Sequence, residues 1–261
     1  MKFDVQIESI ATNNINMDFF YVPWDSHIFN KNVAQISNLK ILKAKNALND
    51  FELYQKWCSQ KEIDLSSCRL PHSQVNESHL LESKGFKFIE LNHQPILANL
   101  ALLSLPASSI EIIEAEECDK TALANVAEII FHNERFHIDP NIETNLANKR
   151  YRTWVENAFK QDHQKIFKCI LNTEIIAFFV VEYPKFGHCF WSLVGVLPEF
   201  QGKGLGKKVW RAMLKHHQEE LISTVSTSIS SHNIPVFNLY VALGFRFPEP
   251  YTTFHCSYNH V

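Results

Sequence analysis

The run Val196-Leu197-Pro198-Glu199-Phe200-Gln201-Gly202-Lys203-Gly204-Leu205-Gly206 sets three of the chain's seven glycines at alternate positions, between an apolar stretch and a segment of helical spacing. Glycine takes left-handed dihedrals and lets a ligand approach the main chain. Successive N–H groups can then converge on an anion at the positive end of the following helix. The chemistry of such a loop is phosphate binding, and a pyrophosphate is the expected ligand. A Walker loop would end in Gly-Lys followed by Ser or Thr, but Lys203 is followed by Gly204, which leaves no hydroxyl for magnesium. A dinucleotide loop would read Gly-x-Gly-x-x-Gly in the first strand–helix unit, whereas Gly-x-Gly-x-Gly stands late in this chain. A flexible glycine-rich surface turn is the remaining alternative, and the ordered patterns on both sides speak against it.

Val-x-Pro-x-x-Gln-Gly-x-Gly-x-Gly is followed by a helix, a strand, Asn233 and a helix ending in Leu239-Tyr240-Val241-Ala242-Leu243-Gly244-Phe245. This order resembles the GCN5-related N-acetyltransferases (GNAT). The resemblance implies an α/β (α+β) GNAT fold, a mixed twisted sheet flanked by helices. It implies acyl-coenzyme A as cosubstrate, held by Val196, Gln201, Gly202, Lys203, Gly204, Leu205, Gly206, Lys207 and Asn233, with the pyrophosphate on the loop. The strand before the loop would hydrogen-bond the pantetheine arm, and Tyr240 would stand beside the thioester sulfur.

The implied reaction is direct attack of a neutral amine on the thioester carbonyl in a ternary complex. Main-chain N–H near Val196 would polarise the carbonyl oxygen, and Tyr240, whose hydroxyl stays protonated at neutral pH, would protonate the departing thiolate. A core tyrosine with a satisfied hydroxyl is the alternative for Tyr240. No Cys or Ser stands in an activating motif, which disfavours a covalent acyl-enzyme. Glu182 and His188 are candidate bases by location alone, and an amine of low basicity can also lose its proton to water.

The elements that must position these residues follow from periodicity. Strand 110–115, helix 119–131 and helix 144–159 precede a hairpin of 166–171 and 175–182, turned at Asn172-Thr173. Strand 190–197 then leads into the loop. Leu205, Val209, Ala212 and Met213 recur at helical spacing, widened by Trp210, Leu214 and Leu221. Strand 222–229 follows, then a helix opened by Pro235 and closed by Gly244, and strand 247–258 completes the sheet.

Leu80-Leu81-Glu82-Ser83-Lys84-Gly85-Phe86-Lys87-Phe88-Ile89-Glu90 aligns without gaps on residues 239–249. The first copy has Leu81 where the second has Tyr240, and no glycine loop precedes it. The expectation is a degenerate GNAT-like domain over 1–108 that contributes to the acceptor site, and a catalytic domain over 109–261, joined near Ser104-Leu105-Pro106-Ala107-Ser108-Ser109.

Pro23-Trp24-Asp25-Ser26-His27-Ile28-Phe29, then Arg69-Leu70-Pro71, Arg135-Phe136, Asp139-Pro140, Tyr151, Trp154, Glu156 and Asn157 are similar to the dTDP-fucosamine acetyltransferase branch. That resemblance implies acylation of a dTDP-linked amino-dideoxyhexose, with acetyl or a larger acyl such as 3-hydroxybutanoyl. Trp24, Asp25, Arg69, Arg135, Phe136 and Tyr151 would bind this acceptor. Cations suit its pyrophosphate and aromatic faces suit thymine. Packing within helical segments is the alternative for Phe136, Tyr151 and above all Trp154; a loop arginine such as Arg135 has fewer packing reasons to exist. Competing functions are acetylation of a protein or antibiotic amine, or a non-catalytic coenzyme-A-binding module. Tyr240 together with an intact loop argues against the last.

Composition agrees. A chain of 261 residues, 46% hydrophobic and 20% charged, can bury one large core or two modest ones. A formal net charge of -3 offers no sign of a nucleic-acid or membrane partner, although Lys203, Lys207, Lys208 and Arg211 form a local basic patch. Met1-Lys2-Phe3-Asp4-Val5-Gln6 lacks a leader pattern and no apolar run has the length of a membrane span, so a cytoplasmic protein is expected. The six cysteines include no Cys-x-x-Cys pair and the thirteen histidines no zincin pair, so no metal is expected and His216-His217 read as surface or structural. Partners are small-molecule substrates, with a homodimer left open.

Overall fold

The computed structural model describes residues 5–258; Met1 to Asp4, which opened the stretch read above for a leader, lie outside them. The chain folds as two compact units, each discontinuous in sequence. One comprises His93–Glu134 and Asn148–Pro248; the other comprises the described residues up to Asn92, Arg135–Ala147 and those from Glu249 onward.

The amino-terminal unit opens with β1 (Glu8–Ala11), β2 (Ile15–Tyr21), α1 (Pro23–Phe29) and β3 (Val33–Ile41). Next come α2 (Ala47–Gln60), β4 (Leu65–Pro71), α3 (Val75–Ser83) and β5 (Lys87–His93). Pro23 supplies the first turn of α1, and Asn30 ends it at φ 49°. β3 and β4 are parallel across the α2 crossover. Phe51, Tyr54, Trp57 and Cys58 of α2 pack on Cys68 and Leu70.

The second unit contains β6 (Ile96–Leu97), β7 (Glu111–Glu114), α4 (Lys120–Ile130), most of α6 (Thr144–Ala158), β8 (Gln164–Leu171), β9 (Glu174–Lys185) and β10 (His188–Val196). It continues with α7 (Gly206–Glu219), β11 (Thr224–Thr227), β12 (Ile229–Ser230) and α8 (Ile234–Ala242). The short α5 (Arg135–Ile138) counts with the amino-terminal unit. The sheet order is β6-β11-β10-β9-β8-β7. The hairpin turns at Asn172 and Thr173, with φ 50° and 71°, the left-handed pair a two-residue turn demands. β9 is covered on both faces: Ala177, Phe179 and Val181 meet the α7 side, while Phe178 and Val180 meet Leu123, Ala127, Tyr151 and Val155. No helix among the described residues is long and apolar enough to cross a membrane.

The last strand departs from expectation. β13 (Tyr251–Ser257) does not complete the sheet that carries the glycine loop; it pairs antiparallel with both β4 and β5 of the amino-terminal unit. Its alternating Phe254 and Cys256 join that unit's apolar cluster. In return β6, from the amino-terminal part of the sequence, pairs with β11. The partition therefore differs from the expected 1–108 and 109–261. Hairpin neighbours can be read from adjacency, but a strand that enters between two others is chosen by which apolar faces match.

The internal repeat has a local structural counterpart. Gly85 (φ 92°) and Gly244 (φ 84°) each follow a helix, and the next N–H, of Phe86 or Phe245, donates back to Leu81 O or Tyr240 O at 3.0 and 3.1 Å. Only glycine takes such a φ without strain.

Candidate functional site

β10 and β11 pair in parallel from His188↔Thr224 to Trp191↔Thr227, and Thr227 Oγ1 donates to Trp191 O at 2.7 Å. Farther along β10, Val194, Gly195 and Val196 line a cavity of about 610 Å³. Main-chain groups on that edge can therefore meet a ligand instead of a strand. Gly195 is required by packing: a Cβ there would fall inside the envelope of Ile130 Cδ1 and 2.8 Å from Phe178 Cε1. Gly195→Ala is accordingly expected to lower stability by about 1–3 kcal/mol, the usual cost of overpacking, in a denaturant titration. Nothing in the motif reading pointed to it, because its reason lies in α4 and β9.

The loop closes the same cavity. Gly202 and Gly204 stand at φ 71° and 72°, and a Cβ at either would meet nothing within 4 Å. Gln201 Nε2 donates to Val196 O at 2.8 Å, tying the loop to the strand end. Leu205, Gly206 and Lys207 line the cavity where α7 begins, and first-turn N–H groups have no acceptor within their own helix. Asn233 also lines the cavity while its Oδ1 accepts from Val236 N–H at 3.3 Å, capping α8. Lys203 is exposed and is not among the lining residues; its Nζ lies 5.5 Å from the Phe200 ring centroid. The donor-rich, glycine-backed rim suits a phosphate, and the apolar side of Val194, Trp210, Val236 and Leu239 suits an alkyl arm.

Tyr240 is 2% exposed and lies next to the lining residue Leu239 without lining the cavity itself. It packs against Phe245 and Trp210 at 4.8 and 6.2 Å between ring centroids, and Trp210 does line the cavity. Burial pushes its hydroxyl up to about 12, against an opposing pull from the Trp210 and Thr227 side chains. The phenol is therefore a proton carrier at neutral pH. The two base candidates lie elsewhere. His188 begins β10 and Val196 ends it, about 26 Å apart at the rise of a strand. Glu182 accepts from Gln164 Nε2 at 2.8 Å, and its β10 partner is Phe190.

The six acceptor candidates divide between the units. Trp24 and the buried Asp25 lie on α1. Arg69 donates from Nη2 to Glu90 Oε1 at 3.1 Å and from Nε to Thr253 Oγ1 at 3.0 Å. The Arg135 guanidinium lies 4.4 Å from the ring centroid of Phe136, which is itself 1% exposed against Phe29 and His255. Tyr151 belongs to the other unit, stacked on Phe131 at 4.7 Å and buried, and Arg150 lies 5.2 Å from the Trp154 ring. Packing accounts for much of what Phe136 and Tyr151 do.

His216, His217 and Glu220 place three potential ligand atoms within 4.8 Å of one another. The Trp191 indole N–H donates to His217 Nε2 at 3.0 Å, and burial holds that imidazole down to about 3. A neutral ring that accepts at Nε2 carries its proton on Nδ1, toward Glu220, so the geometry is that of a structural hydrogen-bond chain.

Comparison with known proteins follows the same lines. Residues 127–245 match the Acetyltransferase (GNAT) family. The chain is 20% identical over 239 residues to the spore coat polysaccharide biosynthesis protein SpsD of Bacillus subtilis (strain 168), covering 89% of this chain and 80% of that protein. A GCN5-related N-acetyltransferase from Sphaerobacter thermophilus superposes with a TM-score of 0.65 at 10% identity, over 94% of this chain and 81% of the other. A tandem GNAT protein from the clavulanic acid biosynthesis pathway superposes with a TM-score of 0.61 at 10% identity, over 100% and 86%. At such identities the solved structures speak to the fold.

Proposed function

We propose that this chain, which carries a GNAT acetyltransferase domain over residues 127–245, transfers an acyl group from acyl-coenzyme A to the amine of a dTDP-linked amino-dideoxyhexose used in surface polysaccharide synthesis. The observation that carries the reading is the single cavity bounded by Val196, the Gly202–Gly204 rim, the start of α7 and Asn233. The similarity to a protein named for spore coat polysaccharide biosynthesis supports the sugar acceptor. A cytoplasmic, metal-independent enzyme fits that chemistry.

The coenzyme supplies an activated thioester. The chain's part is to hold phosphates with the N–H groups of the loop and the first turn of α7. Main-chain N–H at the open edge near Val196 polarises the carbonyl oxygen, and Tyr240 returns a proton to the thiolate. Arg69 and Arg135 offer cations to the sugar-nucleotide pyrophosphate.

The deciding experiment presents acetyl- and 3-hydroxybutanoyl-coenzyme A with dTDP-3-amino and dTDP-4-amino sugars, and with peptide and aminoglycoside amines, and follows free thiol. Turnover is expected on a dTDP-amino sugar. Turnover confined to the peptide or aminoglycoside arm would reassign the acceptor. In the same assay Arg135→Ala should raise the Michaelis constant for the sugar nucleotide about ten- to a hundredfold and leave that for acyl-coenzyme A unchanged. Equal losses for both substrates would remove Arg135 from the acceptor site.

A further inference from the structure

Alternation along β4, β13 and β5 sets Arg69, Thr253 and Glu90 in one cross-strand row, with His255 two residues along β13 on the same face. The other face of these strands, with Leu70 and Phe254, belongs to the apolar cluster. A buried row of polar side chains is costly unless every member is paired. Most are. Arg69 bonds Glu90 Oε1 and Thr253, and His255 Nδ1 lies 2.7 Å from Asp139 Oδ2. Glu90, Asp139 and His255 are 0, 1 and 2% exposed. Two atoms are left over: Glu90 Oε2 and His255 Nε2 are buried without a hydrogen-bond partner.

Both are acceptors. Burial keeps the His255 imidazole neutral against the pull of Asp139, helped by the Arg135 and Arg69 cations. Its proton then sits on Nδ1, donated to Asp139, and Nε2 presents a lone pair. The row reaches solvent at the Arg69 side chain, which is 28% exposed. Two buried acceptors beside an arginine match a ligand rich in hydroxyl or amine hydrogens that also bears a negative charge.

We propose that Glu90 Oε2 and His255 Nε2, set by Arg69 and Asp139, form a subsite that accepts hydrogen bonds from the hydroxyl and amine groups of the acceptor sugar. This rests on the reading above that the acceptor is a nucleotide-linked amino sugar. It adds two residues that no motif indicated.

Glu90→Gln keeps the side chain's size and its acceptor toward Arg69 while placing an NH₂ where the unpaired oxygen stands. His255→Asn keeps a donor toward Asp139 and removes the Nε2 position. Each full-length variant is titrated calorimetrically with unreacted dTDP-amino sugar in the presence of coenzyme A, and its Michaelis constants for both substrates and its melting temperature are measured. Acceptor affinity is expected to fall about ten- to a hundredfold, with coenzyme A affinity unchanged. Acceptor binding like the parent's, with or without a lower melting temperature, overturns the subsite and leaves the acyl-transfer reading standing. A parent that neither binds nor acylates any dTDP-amino sugar overturns both. If His255→Asn fails to fold, the isosteric Glu90→Gln decides.

Discussion

Gly204→Val is expected to abolish coenzyme A binding in calorimetry while the chain stays folded. Gly204 stands at φ 72° and lines the cavity, and no protein atom lies within 4 Å of where a Cβ would go. The loss would therefore come from two sources other than a clash within the protein. A β-branched residue in left-handed space is strained by about 1–2 kcal/mol, and the isopropyl group would add bulk at a position that lines the cavity. Together these should cost at least about a hundredfold in affinity. The melting temperature should fall only by the few degrees that this strain costs, since the exposed loop loses no packing contact. Unchanged affinity in a folded variant would move the phosphate site off this loop.

Tyr240→Phe is expected to lower turnover by about 10²–10⁴-fold, the usual worth of general acid catalysis, with coenzyme A affinity nearly unchanged. Because burial pushes the phenol up to about 12, ionisation of Tyr240 should not limit the parent rate through neutral and mildly alkaline pH. The structure sharpens this experiment, because Tyr240 lies behind Leu239 and Trp210 at the cavity wall. Turnover within a few-fold of the parent would make it a packing residue of the α7–α8 core, and water the proton donor. Comparing denaturation midpoints of the two proteins separates this from a loss of fold.

The glycine loop, the helix it opens, the Asn172-Thr173 hairpin and the glycine that ends α8 were all legible in sequence. Each is governed by residues that are neighbours in the chain: a φ only glycine takes easily, a period of 3.6, a two-residue turn. The cofactor candidates Val196, Gln201, Gly202, Gly204, Leu205, Gly206, Lys207 and Asn233 surround one cavity for that reason, since they come from one strand–loop–helix and the cap of the next helix. Lys203 stands apart: it is exposed and does not line the cavity.

What the linear order could not disclose is where non-local pairing decides. β13 enters between β4 and β5 because Phe254 and Cys256 complete an apolar face begun by residues far earlier in the chain, and no local signal records that choice. That same insertion places Thr253 and His255 beside Arg69 and Glu90, while Asp139 arrives from a third segment. Gly195 owes its identity to Ile130 and Phe178 in the same way. Local backbone chemistry thus wrote the glycine loop into adjacent residues, whereas the buried polar row exists only once burial and strand register bring distant residues together, because unpaired polar groups acquire their cost only when water is removed.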